Sequence, residues 1–326
     1  MRFMESLVLW LRMFQSPEEK DAAYDLFKKH LIFISAKEFE HLIQMTYMDI
    51  IRPYLIRYVA KKHEINEFDI KKIVNNNKFR IVQRKCLFLG LSDGAKLDLF
   101  RRFSPLKHEQ IYPTYLITKA KACELGDELN HDTQNFTKKP TNEKYEVIFL
   151  IDDFSASGTS YIRKEDGEFA GKITKFLKQV ISDGEYDFIK NVIDTENLRI
   201  CVVLYVATTS AIQRIKYRIS KYVKDTSIKV EVYAVQELDD SVRLNSESLE
   251  KLESVLKNNF HSHILTPDYK KGKHDKPYHG FDNGCLALVL NHNCPNNSLP
   301  VLWDGVEKEG IHALFPRVQR YTGDLI

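Results

Sequence analysis

VIFLIDDFSASGTS, residues Val147 to Ser160, is the stretch that decides the fold. Val147 to Ile151 is an unbroken apolar run of branched and aromatic side chains, which suits a central strand of a parallel sheet buried on both faces. Open α/β sheets bind their ligands just beyond the carboxyl ends of such strands. Asp152 and Asp153 follow at once and are expected at that rim, too exposed to belong to the core. Their mutual repulsion asks for a partner, and a magnesium ion or the hydroxyls of a ribose would supply one. In Ser155, Ala156, Ser157, Gly158, Thr159 and Ser160 no side chain is larger than threonine. Small residues let backbone N–H groups converge on one point, and hydroxyls add donors, which is what a phosphate monoester requires. Either half of the stretch taken alone reads equally as the plain end of a strand.

A second strand, turn and helix lie upstream. Cys86 to Leu91 reads as a strand, Ser92-Asp93-Gly94 as a tight turn, and Ala95 to Phe103 as a helix with Leu97, Phe100 and Phe103 on one face. A glycine turn that opens a helix is a natural anion site, and just as often a simple cap. Ser92, Asp93, Gly94 and Ala95 are the candidates here.

The chain has 326 residues, 43% of them hydrophobic and 11% aromatic, enough for a large core and more than one average domain. No apolar run approaches the roughly 18 residues of a membrane span. Met1 to Phe14 reads as an amphipathic helix rather than a signal peptide, since Glu5 and Arg12 flank its apolar patch. A formal net charge of +3 does not mark a nucleic-acid binder. Cys86, Cys123, Cys201, Cys285 and Cys294 are spread without paired spacing, which fits a reducing cytoplasm and offers neither a disulfide framework nor a zinc motif.

The periodicity divides the chain into an N-terminal helical region over 1–80, an α/β core over 81–260 and a C-terminal elaboration over 261–326. Ser16 with Pro17 and Glu19, and Ser35 with Glu38, mark helix starts, and Pro53 is expected to kink or divide a helix. Ile111 to Leu125 reads as helical after Pro113. Asn130 to Lys144 is polar and reads as a surface loop or a lid. Phe169 to Ile181 has helical spacing, Arg199 to Val206 is a strand, and Ala207 to Ser210 caps a helix carrying Arg214, Lys216, Arg218, Lys221 and Lys224. That basic face reads as solvated surface, with a phosphate or nucleic-acid footprint as the alternative. Lys229 to Val235 and Cys285 to Leu290 are strands, and Ser248 to Phe260 is a helix. The histidines of His261 to Gly284 lack ligand spacing for a metal.

Val147 to Ser160 resembles the phosphoribosyltransferase family, which carries a hydrophobic strand, two adjacent acids and a serine- or threonine-glycine loop. The resemblance implies an α/β fold, a parallel or mixed sheet flanked by helices with a C-terminal hood. It implies that Asp152 and Asp153 hold the ribose hydroxyls of phosphoribosyl pyrophosphate and that Ser157, Gly158, Thr159 and Ser160 wrap the 5′-phosphate. Ser92 to Ala95 would take the pyrophosphate, with magnesium as cofactor. Two departures stand out: Thr159 replaces a glycine that the family often has, and Ile162 to Glu168 delays the helix expected straight after the loop. In these enzymes a mobile loop closes between the two motifs, where Asn130 to Lys144 lies.

Gly280-Phe281, Cys294 to Asn297, Pro300, Trp303 and Phe315 to Arg317 look like a bacterial phosphoribosyltransferase-like group of defence islands, including some retrons. That resemblance implies a cytoplasmic, toxic antiphage effector restrained by a partner such as a reverse transcriptase with its small DNA. A catalytically silent module that senses a nucleotide and docks on a protein or nucleic acid is the alternative expectation.

Overall fold

Val147 to Ile151 forms a strand for the reason its composition gives: none of the five exposes any surface. The computed structural model describes residues 3–140, 142–181, 184–306 and 310–317. Its strands are β1 (Ile32–Ile34), β2 (Cys86–Gly90), β3 (Ile111–Tyr112), β4 (Val147–Ser155), β5 (Arg163–Glu165), β6 (Glu168–Ala170), β7 (Arg199–Thr208), β8 (Lys229–Leu238) and β9 (Leu288–Leu290). Five of them make one sheet in the order β3-β2-β4-β7-β8, and the pairings β3 with β2, β2 with β4 and β4 with β7 are parallel.

Helices make the crossovers that parallel pairing demands. Leu97–Phe103 joins β2 to β3, Lys119–Thr137 joins β3 to β4, Lys172–Ile181 joins β4 to β7, and Thr209–Tyr222 joins β7 to β8. From β2 the chain steps outward to β3, then returns past β2 to β4 and continues the other way. The order therefore reverses between β2 and β4, and the crevice at their carboxyl ends is the topological switch point where such sheets take ligands.

One face of the sheet presents Leu87, Leu89, Ile148, Leu150, Val202 and Leu204 to Leu125, Leu129, Phe176 and Leu177 of the helices. On the other face Phe88 and Phe149 stack at 4.9 Å, and Tyr54 stands edge-on to Phe149 at 5.7 Å. Tyr54 belongs to helix Arg52–His63, which places Pro53 in its first turn directly after a π-helical turn, Thr46–Ile51. The chain divides into one unit of Glu40–Glu237 and another of Met1–Phe39 with Leu238–Ile326. Residues 40–80 thus lie in the sheet unit and 238–260 in the other.

The polar stretch from Asn130 is not a loop at its start. Asn130 to Thr137 are the last turns of helix Lys119–Thr137, held by buried Leu129 and Thr133, whose hydroxyl donates to the Leu129 carbonyl at 2.8 Å. Polar residues there form the outer face of a helix, and Thr141 lies outside the described residues. Ile111 and Tyr112, read as helical, form β3 instead.

In the terminal unit β1 pairs in parallel with β9, and Trp10, Phe14, Leu26, Leu252, Leu256 and Leu302 make the core. The C-terminal motif residues gather here. Gly280, at φ +90°, and Gly284 pack against the Asn297 backbone, Asn297 Nδ2 donates to the Phe281 carbonyl at 2.8 Å, and Trp303 Nε1 donates to the Ser298 carbonyl at 3.0 Å. Arg317 lies 5.6 Å over the Trp303 ring; Val318 to Tyr321 lie outside the described residues. Among the described residues no helix is long and apolar enough to cross a membrane.

Candidate functional site

The turn after β2 meets the carboxyl end of β4 at the switch point. Ser92 donates its hydroxyl to Asp152 Oδ1, and Gly94 lies so close to Asp153 that an added Cβ would overlap the carboxylate. Tyr205, buried in β7, donates to the Ala95 carbonyl at 2.6 Å and so fixes the Ser92 to Ala95 turn from below. The helix expected from Ala95 is split: Asp93–Ala95 is a 3-10 turn, Lys96 takes a left-handed φ of +43°, and the α-helix begins at Leu97.

Asp152 departs from its expected position at an exposed rim. It is a residue of β4, paired with Leu204 of β7, and has 0% of its surface exposed. Its Oδ1 accepts from Ser92 and from the Asp153 backbone N–H at 3.1 Å, and its Oδ2 accepts from Tyr161 Oη at 2.8 Å and Lys172 Nζ at 2.6 Å. Four donors fill the roughly four lone-pair sites of a carboxylate. Burial pushes the Asp152 carboxyl upward, and the Lys172 ammonium opposes the shift without cancelling it. Asp153 is only partly buried; its Oδ1 accepts from the Phe154 N–H at 2.7 Å.

The hydroxyl loop is held from three sides. Gly158 sits at φ +72°, and an added Cβ would stand 2.7 Å from Ile215 Cγ1, so glycine is required there. Thr159 has no left-handed φ, so the threonine in place of a second glycine carries no backbone strain. Ser155 Oγ accepts from the Gly158 N–H at 3.1 Å and Ser157 Oγ from the Thr159 N–H at 3.4 Å. Thr208, the cap of helix Thr209–Tyr222, donates to the Ala156 carbonyl at 2.9 Å. From the same helix Arg214 reaches the Ser157 carbonyl at 3.1 Å and Arg218 the Ile162 carbonyl at 2.8 Å. Part of the basic face therefore braces the loop. Ser160 is exposed, whereas Ser155, Ala156, Ser157, Gly158 and Thr159 are buried.

The delayed helix is delayed in sequence only. Residues 163–170 form an antiparallel hairpin of β5 and β6, turned by Asp166 at φ +51° and Gly167 at φ +87°. Two consecutive left-handed residues are what a two-residue hairpin turn needs, and Asp-Gly supplies them. The chain then returns to where it left: Lys172 N–H donates to the Ser160 carbonyl at 3.1 Å and Ile173 N–H to the Tyr161 carbonyl at 3.0 Å. Helix Lys172–Ile181 thus starts beside the end of the hydroxyl loop.

A family model described as PRTase-CE matches residues 8–317. The chain belongs to the PRTase-CE family. Its fold is phosphoribosyltransferase-like, a mostly parallel five-stranded sheet flanked by helices. No protein of curated function and no solved structure matches the chain.

In this PRTase-CE chain sequence reasoning missed three side chains of the site, Tyr161, Lys172 and Tyr205, and read Arg214 as part of a solvated basic face. The Asp-Gly pair at 166 and 167 was the available signal for a hairpin that returns Lys172 to the acid pair. Tyr205 is the lone hydroxyl in the otherwise apolar run from Ile200 to Ala207 of β7. A cavity of about 400 Å³ lined by His30, Asp240, Ser241, Arg243, Leu244, Asn245 and Ser248 lies in the terminal unit and contains none of the predicted site residues.

A magnesium ion bound directly to Asp152 does not fit the PRTase-CE site as arranged. Both Asp152 oxygens are committed, and one of their partners is the Lys172 ammonium. Among the described residues no group of three or more His, Cys, Asp or Glu side chains is arranged to hold a metal.

Proposed function

We propose that the protein is a phosphoribosyltransferase-like effector acting on phosphoribosyl pyrophosphate or a related nucleotide, and that it serves as the toxic arm of a bacterial antiphage system of retron type. The observation that carries the ligand class is the meeting of the turn after β2 with the acid pair at the carboxyl end of β4, Ser92 on Asp152 and Gly94 against Asp153. In this reading Ser92, Asp93, Gly94 and Ala95 receive the pyrophosphate, and Ser155 to Ser160 receive the 5′-phosphate, whose oxygens replace the Ser155 and Ser157 hydroxyls on the loop amides.

Asp153 faces the ribose. As the bond from the anomeric carbon to pyrophosphate breaks, positive charge develops on the ring, and a carboxylate set beside it lowers the barrier electrostatically. The rest of the site contributes by holding both ends of the ligand in line. Magnesium enters as part of the pyrophosphate-bearing ligand rather than on Asp152. The antiphage role, with a reverse transcriptase and small DNA as restraining partner, rests on the C-terminal motifs; their packing into one cluster around Asn297 and Trp303 supports their acting together.

The test is to incubate purified protein with phosphoribosyl pyrophosphate, nucleotides and magnesium and to follow release of pyrophosphate or base. Turnover that Asp153→Asn removes while the fold is kept supports the reading; a folded protein that neither binds nor turns over any of these ligands overturns it. A second reading, a catalytically silent nucleotide sensor, is favoured by one observation: the loop N–H groups of Gly158 and Thr159 are already taken by loop hydroxyls. Saturable binding without turnover would select it.

A further inference from the structure

We propose that Lys172 is a positioning residue: its ammonium keeps Asp152 as a fixed anion that clasps the two loops, and so leaves Asp153 as the one acid of the pair that meets a ligand. The inference rests on the proposed nucleotide site and specifies how its acid pair divides the work.

Asp152 has no capacity left for a ribose hydroxyl. Accepting one would expel Ser92, Tyr161, Lys172 or the Asp153 N–H from a group with no exposed surface. Each of those donors comes from a different part of the site. Ser92 belongs to the turn after β2, Tyr161 follows the hydroxyl loop, and Lys172 opens the helix after the hairpin. The single Tyr161 Oη proton lies between Asp152 Oδ2 and the Phe154 carbonyl, 2.9 Å away, and Lys172 Nζ lies 5.2 Å over the Tyr161 ring. One buried carboxylate thus ties the turn, the loop and the helix start together. Lys172 reaches it because the hairpin returns the chain to Ser160.

A carboxylate this deep requires a compensating cation, since an unpaired buried charge is far costlier than a buried pair. The ionisable groups around Asp152 are Lys172 from the helix, Asp153 on the same strand, Tyr161 beyond the loop, Tyr205 on β7 and Tyr115 before helix Lys119–Thr137. Burial raises all three tyrosines, so their hydroxyls stay neutral. Lys172 is therefore the only cation in the set, and Asp153 adds repulsion.

Without the ammonium, Asp152 is neutral when protonated, and the site keeps the net charge it had with the pair. As pH rises the proton leaves and a buried anion remains without a counterion. Affinity and stability of Lys172→Met should both fall with rising pH, a step that the paired protein lacks.

The experiment measures phosphoribosyl pyrophosphate binding by calorimetry, and ligand-free melting, between about pH 5 and pH 9 for the full chain, Lys172→Met and Lys172→Arg. At the acid end Lys172→Met should bind within about threefold of the unaltered protein, and at the alkaline end about tenfold or more weaker; Lys172→Arg should remove the step. Asp152→Asn combined with Lys172→Met, uncharged at every pH, should also show no step, and it stands in where Lys172→Met does not fold. A Lys172→Met profile parallel to the unaltered one overturns the proposal. So does equal loss of binding at every pH in Lys172→Met and Lys172→Arg with melting unchanged, because Lys172 would then touch the ligand itself. If the unaltered protein binds no phosphoribosyl pyrophosphate, the ligand reading fails, and the pH step in ligand-free melting still decides the clasp.

Discussion

Gly94 and Asp153 share a space that admits no further atom: a Cβ built at position 94 would stand 2.5 Å from the Asp153 Cγ. Gly94 has no left-handed φ, so its lack of a side chain serves this approach rather than the backbone. Gly94→Ala should push Asp153 out of place and weaken phosphoribosyl pyrophosphate binding about tenfold or more, roughly 1.4 kcal/mol. Melting should change little, because the residue is half-exposed. Calorimetric titration beside a melting curve checks both parts; unchanged affinity would detach Asp153 from the ligand.

Tyr205→Phe deletes the hydroxyl that holds the Ala95 carbonyl and leaves that buried oxygen without its donor. The expected loss is about 1–3 kcal/mol of unfolding free energy, read from urea denaturation. The turn at Ser92 to Ala95 should loosen with it, seen as faster amide exchange there.

Gly158→Ala faces two penalties, a left-handed φ and the Ile215 side chain. A loss of about 1–3 kcal/mol is expected. Measured against Ile215→Ala alone, which removes the clashing Cγ1, adding Gly158→Ala should lose the steric part of the penalty and keep the backbone part. No remaining penalty would show that the φ costs nothing.

Glu146 gives a pH prediction away from the site. Burial pushes its carboxyl up, but hydrogen bonds from Lys62, at 2.5 Å, and from Lys85 outweigh burial and hold it below the ordinary value of 4.5. A carboxyl lowered on folding contributes stability that is complete above its unfolded value and is lost as pH falls through the folded one. Glu146→Gln should therefore cost about 1–3 kcal/mol near neutrality, since it removes the carboxylate shared by Lys62 and buried Lys85 and leaves Lys85 with Glu143. The gap from the unaltered protein should close below about pH 4, and melting curves from neutral to acid pH will show whether it does.

Much of this architecture is legible in the residues. Val147 to Ile151 and Cys86 to Gly90 declare themselves as buried strands by unbroken apolar runs, and the turn and hydroxyl loop follow each strand directly in the chain. What escapes a linear reading depends on distance in space. Asp152 looks like a rim acid because adjacent charges usually face water; it is buried where three separate segments, the turn at Ser92, Tyr161 and the helix start at Lys172, deliver donors to it. Lys172 looks like an ordinary helix residue, and only the return of the hairpin shows what it touches. Asn130 to Thr137 looks like a loop because its polarity outweighs its one buried position, Thr133, which continues the buried stripe of Ala122, Leu125 and Leu129. Strand order, which sets the crevice, leaves no trace in local composition.

Because the hairpin of β5 and β6 leaves at Tyr161 and comes back at Lys172 within hydrogen-bonding distance, its tip is insulated from the chemistry by its own stem. Nothing lies within 4 Å of a side chain placed at Gly167. An epitope tag or fluorophore grafted between Asp166 and Gly167 would stand clear of the sheet unit and leave the acid pair undisturbed.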